Sequence, residues 1–197
     1  MRQPVATLAL VAITTARLAA QSVGARPETS PYVDVRDHQR LGIMAGYFST
    51  ANDPAGVGPK GGALLGLRYD VHGGGPVYLT THLFGVSTER DVLDYTKKAA
   101  VRRVGTRSST LVGLDGGMVV ALTGDRSWHR LQPLLQFGVG VASGLGDKPD
   151  VSHYSFGTRL DVTAGLGVRY VTGKRSELRV DVNWYYWKNS YPETFRS

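Results

Sequence analysis

Residues that could do chemistry are few in this sequence, and they are spread out. His153 and Ser155 stand two apart, where an imidazole can act as general base for a hydroxyl nucleophile. Gly56, Gly58 and Gly61 fit the G-x-G-x-x-G pattern, whose glycines let backbone approach a pyrophosphate. That site needs a strand before it and a helix after it. Here a loop precedes, a strand-like run follows, and Pro59 opposes a helix, so the pattern predicts a turn-rich loop. His72 and His82 fall on polar strand faces, and a turn centred on Gly74 sets His82 across from Gly66. His38, His129 and His153 are scattered. No metal site follows from them, and with no Cys a thiolate zinc site is excluded. No cofactor is expected, and the chain is not expected to be an enzyme.

The charged residues say more. Arg68, Arg159, Arg169 and Arg179 match Asp70, Asp115, Asp161 and Asp181 in formal charge, with no Lys or Glu among them. Arg and Asp form short, forked, hydrogen-bonded pairs suited to a confined space. These eight are therefore read as one charge network on a buried polar face. A three-residue turn at 173–175 places Arg169 opposite Arg179, which is unfavourable unless Asp161 or Asp181 lies between. A second basic set, Lys97, Lys98, Arg102 and Arg103, sits in a charged stretch over 87–107. Glu89, Asp91 and Asp94 dilute it and no aromatics interleave, so nucleic-acid binding is not expected.

The elements that must position these groups follow a period of two. Larger apolar residues take one face and Gly, Thr, Gln, Asn and charges the other. Leu41, Ile43 and Tyr47 set the pattern. Alternation continues over 63–71, 77–84, 110–122, 131–141, 160–170 and 178–187. Seven strands are thus visible, each close to the ~9–11 residues of a tilted membrane-crossing strand. Long connections at 49–61, 87–107 and 144–156 alternate with short ones at 73–75, 123–127 and 173–175. One rim of a sheet is trimmed and the other elaborated. Trp128, Tyr170, Trp184 and Tyr186 fall near strand ends, where membrane proteins place amphipathic rings.

The 197 residues, 42% hydrophobic with 25 Gly, suffice for one domain. A mean hydropathy of −0.16 argues against a polytopic helical membrane protein. Residues 1–20 read as a secretory signal peptide: Arg2, an apolar run over 5–13, and small residues before Gln21. The formal charge of +7 falls to about +5 once Arg2 and Arg17 leave with it.

With this pattern the chain resembles the small bacterial outer-membrane β-barrel family, with its OmpA-, OmpX- and OmpW-like members. The resemblance covers residues 38–190. It rests on the signal, the Gly-rich dyad-period strands and the alternating loop lengths, with phrases such as Leu134-Leu135-Gln136-Phe137-Gly138-Val139-Gly140-Val141. It implies an all-β, antiparallel up-and-down transmembrane β-barrel of eight strands, one more than is visible. Either the chain lacks its last strand or residues 32–37 supply one; the first is favoured because 32–37 is short and charged. The organisation read is a signal at 1–20, a periplasmic segment at 21–38, the barrel at 39–190, and an outer loop or tail beginning at 191–197. His153-Tyr154-Ser155 also resembles the His-x-Ser element of lipid A deacylase barrels. That likeness fails where Phe156 replaces Asn and Gly167 stands in place of the acid.

The resemblance implies residence in the bacterial outer membrane as a monomer, against lipid and lipopolysaccharide, after delivery by the barrel-insertion machinery. Lys97, Lys98, Arg102 and Arg103 would then meet lipopolysaccharide phosphates. The function expected is a structural one, or one carried by the outer loops around a plugged, charge-paired interior. A narrow channel for small or apolar solutes and a soluble lipocalin-like carrier are the alternatives.

Overall fold

The computed structural model describes residues 30–35, 38–50, 53, 55–146, 150–173 and 176–191. The expected signal peptide, most of the segment over 21–38 and residues 192–197 lie outside these. The elements are β1 (Tyr32–Asp34), β2 (Gln39–Phe48), β3 (Gly62–Gly74), β4 (Val77–Leu93), β5 (Arg103–Ala121), β6 (Arg126–Trp128), β7 (Leu131–Leu145), β8 (Thr158–Val171) and β9 (Glu177–Trp187), with a 3-10 turn at Ala99–Val101. They form one antiparallel, up-and-down sheet of nine strands. The seven long strands β2, β3, β4, β5, β7, β8 and β9 pair in chain order. These are the seven runs whose alternation marks them in the sequence. The two short strands make a flap at the trimmed end: β6 lies in the β5–β7 connection, and β1 pairs with it through Tyr32 and Trp128. Residues 32–34 therefore do not supply an eighth long strand.

Two expectations need correction. The stretch 87–107 is mostly strand: β4 runs on to Leu93 and β5 begins at Arg103. Thr88 and Arg90 continue the inward-facing series of Tyr78, Thr80, His82, Phe84 and Val86, and all seven are buried. A strand whose two faces both turn polar loses its hydropathy contrast but keeps its ladder. The β3–β4 register also differs, because the turn is made by Gly75 and Pro76 rather than centred on Gly74, and a one-residue bulge lies between His72 and Gly74. Gly74 and Gly75 there take φ of +117° and +53°, a region open to glycine at little cost. Turn and bulge together set the pairing so that His82 opposes Arg68 and Gly66 opposes Phe84.

The sheet curls but does not close. Following Cα partners from Arg40 leads through Asp70, Thr80, Gly117, Gly138 and Thr163 to Tyr185. Yet Arg40 meets Glu177 at 3.2 Å, eight positions before Tyr185 on β9. Such a stagger is what tilted strands wrapped around an axis require. Among the described residues no backbone pairing joins β2 to β9. A cavity of about 1450 Å³ lies between them, with Arg68 and Phe84 on its floor. Phe48 and Trp187 stack across it with centroids 5.8 Å apart. Both edge strands run from the tight-turn end toward the long-loop end.

Polarity is inverted relative to a water-soluble sheet. The outer face is apolar and exposed: Leu41, Ile43 (82% exposed), Leu65, Phe137, Leu166 and Val180 all point away from the protein. The inner face is buried and, over much of its length, charged. Toward the loop end the inner face becomes apolar, with Phe84, Val86, Leu111 and Ala142 packed under Ala55, Val57, Tyr154 and Phe156 from the long connections.

Candidate functional site

The inner face near the turn end carries the densest chemistry. Strand alternation points Arg68 and Asp70 of β3, Arg169 of β8, and Glu177, Arg179 and Asp181 of β9 inward. Arg68 Nε lies 3.0 Å from Asp70 Oδ2, its Nη2 2.9 Å from Glu177 Oε1, and its Nη1 3.6 Å from Asp181 Oδ2. Arg179 donates to Asp181 at 2.7 Å and to Gln136 Oε1 at 2.7 Å, and its Nη1 lies 3.5 Å from Asp70. Arg169 donates to Gln132 Oε1 at 3.0 Å, with Glu177 Oε2 3.2 Å from its Nε. The Tyr78 ring sits under two guanidiniums, Arg40 at 5.2 Å and Arg169 at 4.9 Å, a favourable use of an aromatic face.

Glycines make room for this layer. A Cβ at Gly167 would come 2.1 Å from Asp181 Oδ1, and one at Gly165 1.9 Å from Asn183 Oδ1. Sequence reasoning omitted Glu177 and Arg40, although both extend the inward series by two positions. Glu177 falls between the turn at 173–175 and the alternation read from Leu178, and Arg40 lies at the start of β2, before the apolar alternation begins.

Of the eight residues proposed as one network, five meet directly, Asp115 joins them through His82 and Thr80, and Arg159 and Asp161 stand apart. Arg68, Asp70, Arg169, Arg179 and Asp181 come together. Arg159 stands apart at the loop end, donating to the Phe156 carbonyl at 2.8 Å and to Ser190 at 2.9 Å. Asp115 and Asp161 lie above the arginine layer. Asp115 Oδ1 is 2.8 Å from His82 Nδ1, and Tyr185 donates to its Oδ2 at 3.4 Å. Asp161 accepts from Thr163 at 3.2 Å, and its Oδ2 has no hydrogen-bond partner among the described residues. The four Arg and four Asp singled out by their strand positions thus separate along the axis. No three His, Asp or Glu gather as metal ligands among the described residues.

The basic set at the β4–β5 tip is largely engaged with its own hairpin. Lys97 Nζ lies 3.5 Å from Asp94, Arg103 Nη2 lies 3.0 Å from Asp91, and Arg102 sits over the Tyr95 ring at 5.0 Å. Lys98 directly precedes the 3-10 turn. Residues 55–61 hold no strand or helix, as the turn-rich reading expects, and Asp53 receives the amides of Ala55 and Gly58.

His153 lies in a turn with φ +49°, its amide bonded to Asp150 O at 3.0 Å. That connection is tied down by Arg90, which sequence reasoning also missed. Its guanidinium is 2% exposed, donates to Ser152 Oγ at 3.2 Å and to the Asp150 carboxylate, and lies over the Tyr154 ring. Burial pushes the Asp150 carboxyl up. The Ser152 hydroxyl and amide and the neighbouring Arg90 outweigh that and hold it below the usual carboxylate range.

No family model, curated protein or solved structure matches this chain.

Proposed function

We propose that this chain is the membrane-spanning part of a small outer-membrane β-barrel with a filled interior, acting structurally or through its outer loops. The observation that carries this reading is the inverted polarity: an exposed apolar outer wall around a buried, ion-paired interior. A sheet in water hides such a wall, whereas lipid is its natural solvent. Tyr32, Trp128 and Tyr170 are exposed near the turn end and Tyr47, Trp184 and Tyr186 near the loop end, which suits two interfacial belts.

The slot between β2 and β9 supports an eighth strand. Since both edges run the same way, a strand pairing with both runs opposite to each, from the loop end to the turn end. The eight-residue stagger fits a tilted, closed wall, and a barrel of eight strands is filled by its own side chains. Lipid and lipopolysaccharide are then the surroundings of a single copy inserted by the cell's barrel-assembly apparatus.

The test is gel mobility of detergent-extracted membranes with and without boiling, followed by planar-bilayer conductance of the purified protein. The expected result is a heat-dependent mobility shift without resolved channels. Recovery in the buffer-soluble fraction would overturn the membrane reading in favour of a carrier. Steady single-channel steps would overturn the filled interior in favour of a solute path.

A further inference from the structure

The layer above the arginines holds an unbalanced pair of carboxylates. Asp115 on β5 and Asp161 on β8 are each 3% exposed. They flank one residue, Gly140 of β7, which is the direct Cα partner of both. A Cβ at Gly140 would come 2.6 Å from Asp115 Cβ and 2.7 Å from the Leu114 carbonyl oxygen. Gly140 therefore places no side chain of its own between the two carboxylates, and none fits there without displacing Asp115. Asp161 Oδ2 is buried on the same inner face without a hydrogen-bond partner among the described residues. The arginine that matched Asp161 by sequence, Arg159, is turned toward the Phe156 carbonyl and Ser190 instead. The charged group acting on Asp161 is Asp115, of the same sign.

A buried carboxylate with no positive partner is strongly disfavoured. A proton or a bound cation relieves it. We propose that Asp115 and Asp161 bind a single hard cation of the calcium class over Gly140. The donors on offer are all oxygens: both oxygens of Asp161, Oδ2 of Asp115, the Tyr185 hydroxyl and the Thr163 hydroxyl. Such a set suits a hard cation, which takes oxygen ligands and accepts bidentate carboxylates. His82 borders the site on the far side of Asp115 and holds its Oδ1 at 2.8 Å, so Oδ2 is the oxygen left for the ion. Tyr185 and Trp187 lie beside the site; Trp187 is the Cα partner of Asp161. The site depends on the inner face of the sheet alone, so it is independent of whether the outer wall meets lipid.

Terbium serves as the probe, because a nearby Tyr or Trp sensitises its emission. Full-length protein, in whichever of detergent or buffer it is recovered, is titrated with terbium under ultraviolet excitation and then with calcium. The expected result is saturable emission at one ion per chain, displaced by calcium. Asp161→Asn and Asp115→Asn, both nearly isosteric, abolish it, with circular dichroism confirming that each keeps its β content. Tyr185→Phe weakens it by about tenfold, as loss of one supporting oxygen does. If either Asp variant loses β content, calcium-dependent protection of wild-type Asp161 from carboxyl modification decides instead. Absent emission, or equal emission from folded Asp161→Asn, overturns the proposal; a proton then balances the pair.

Discussion

Arg169 and Arg179 are direct Cα partners across β8 and β9, so two guanidiniums face each other on a buried wall. Side chains from other strands keep them there. Asp70 of β3 lies 3.9 Å from Arg169 Nη2 and 3.5 Å from Arg179 Nη1, while also pairing with Arg68. Glu177 covers Arg169 and Asp181 covers Arg179. Asp70 is 1% exposed and faces three arginines. Asp70→Asn should destabilise the fold by roughly 3–5 kcal/mol, the usual cost of leaving buried charge uncompensated. The midpoint of the heat-dependent mobility shift, or denaturant unfolding, measures it. A loss below 1 kcal/mol would mean the arginines are compensated by other groups.

The outer wall gives a sharper test of its solvent. Leu166 is 52% exposed midway along β8. In water, Leu166→Arg should change stability by no more than about 0.5 kcal/mol. Against lipid it should cost roughly 2–4 kcal/mol. Unfolding in lipid vesicles, compared with wild type, separates the two.

Phe84 lies across Gly113, where a Cβ would meet the ring at 2.3 Å, and the same ring packs against Tyr185 with centroids 5.4 Å apart. Gly113→Val should displace the ring and cost about 1–3 kcal/mol, as overpacking does. Thermal unfolding with tyrosine and tryptophan emission followed together would show it.

Arg90 fastens residues 150–157 to β4. Arg90→Ala should expose that connection to protease added from outside while leaving the global unfolding midpoint nearly unchanged. The same latch carries a pH signature. The Asp150 carboxyl lies below its ordinary value of 3.8. Its contribution is thus fully present above that ordinary value and is lost as pH falls through the lower folded value. Protease resistance of the connection should be flat from pH 7 to about pH 4 and fall only below that. A loss of resistance between pH 7 and pH 5 would point to a histidine instead.

The seven long strands and their inward faces were legible because dyad alternation survives wherever one face is apolar. It failed where both faces are polar, so the ends of β4 and β5, with Arg90 among them, read as loop. Short β6 has too few residues to show any period. The register of His82 was missed because three successive glycines do not show where the chain reverses, and the turn falls on Gly75 and Pro76 with a bulge before it. The charge network was legible by composition but not by partner. Which Arg meets which Asp depends on strand tilt and on contacts across the slot, and Arg159 and Asp161 show how far equal counts can mislead.

The chain-order pairing of the long strands has a kinetic consequence. Each hairpin can form from neighbours in sequence, with little loop entropy to overcome before contacts form. The ion pairs spanning the slot, Arg40 with Glu177 and Arg68 with Glu177, join residues more than 100 positions apart. They can form only when the two edges swing together, after the other strands have paired. Interactions made that late leave the rate of assembly untouched and act on the rate of opening. Glu177 is thus a clasp on the lifetime of the folded wall rather than a guide to its formation.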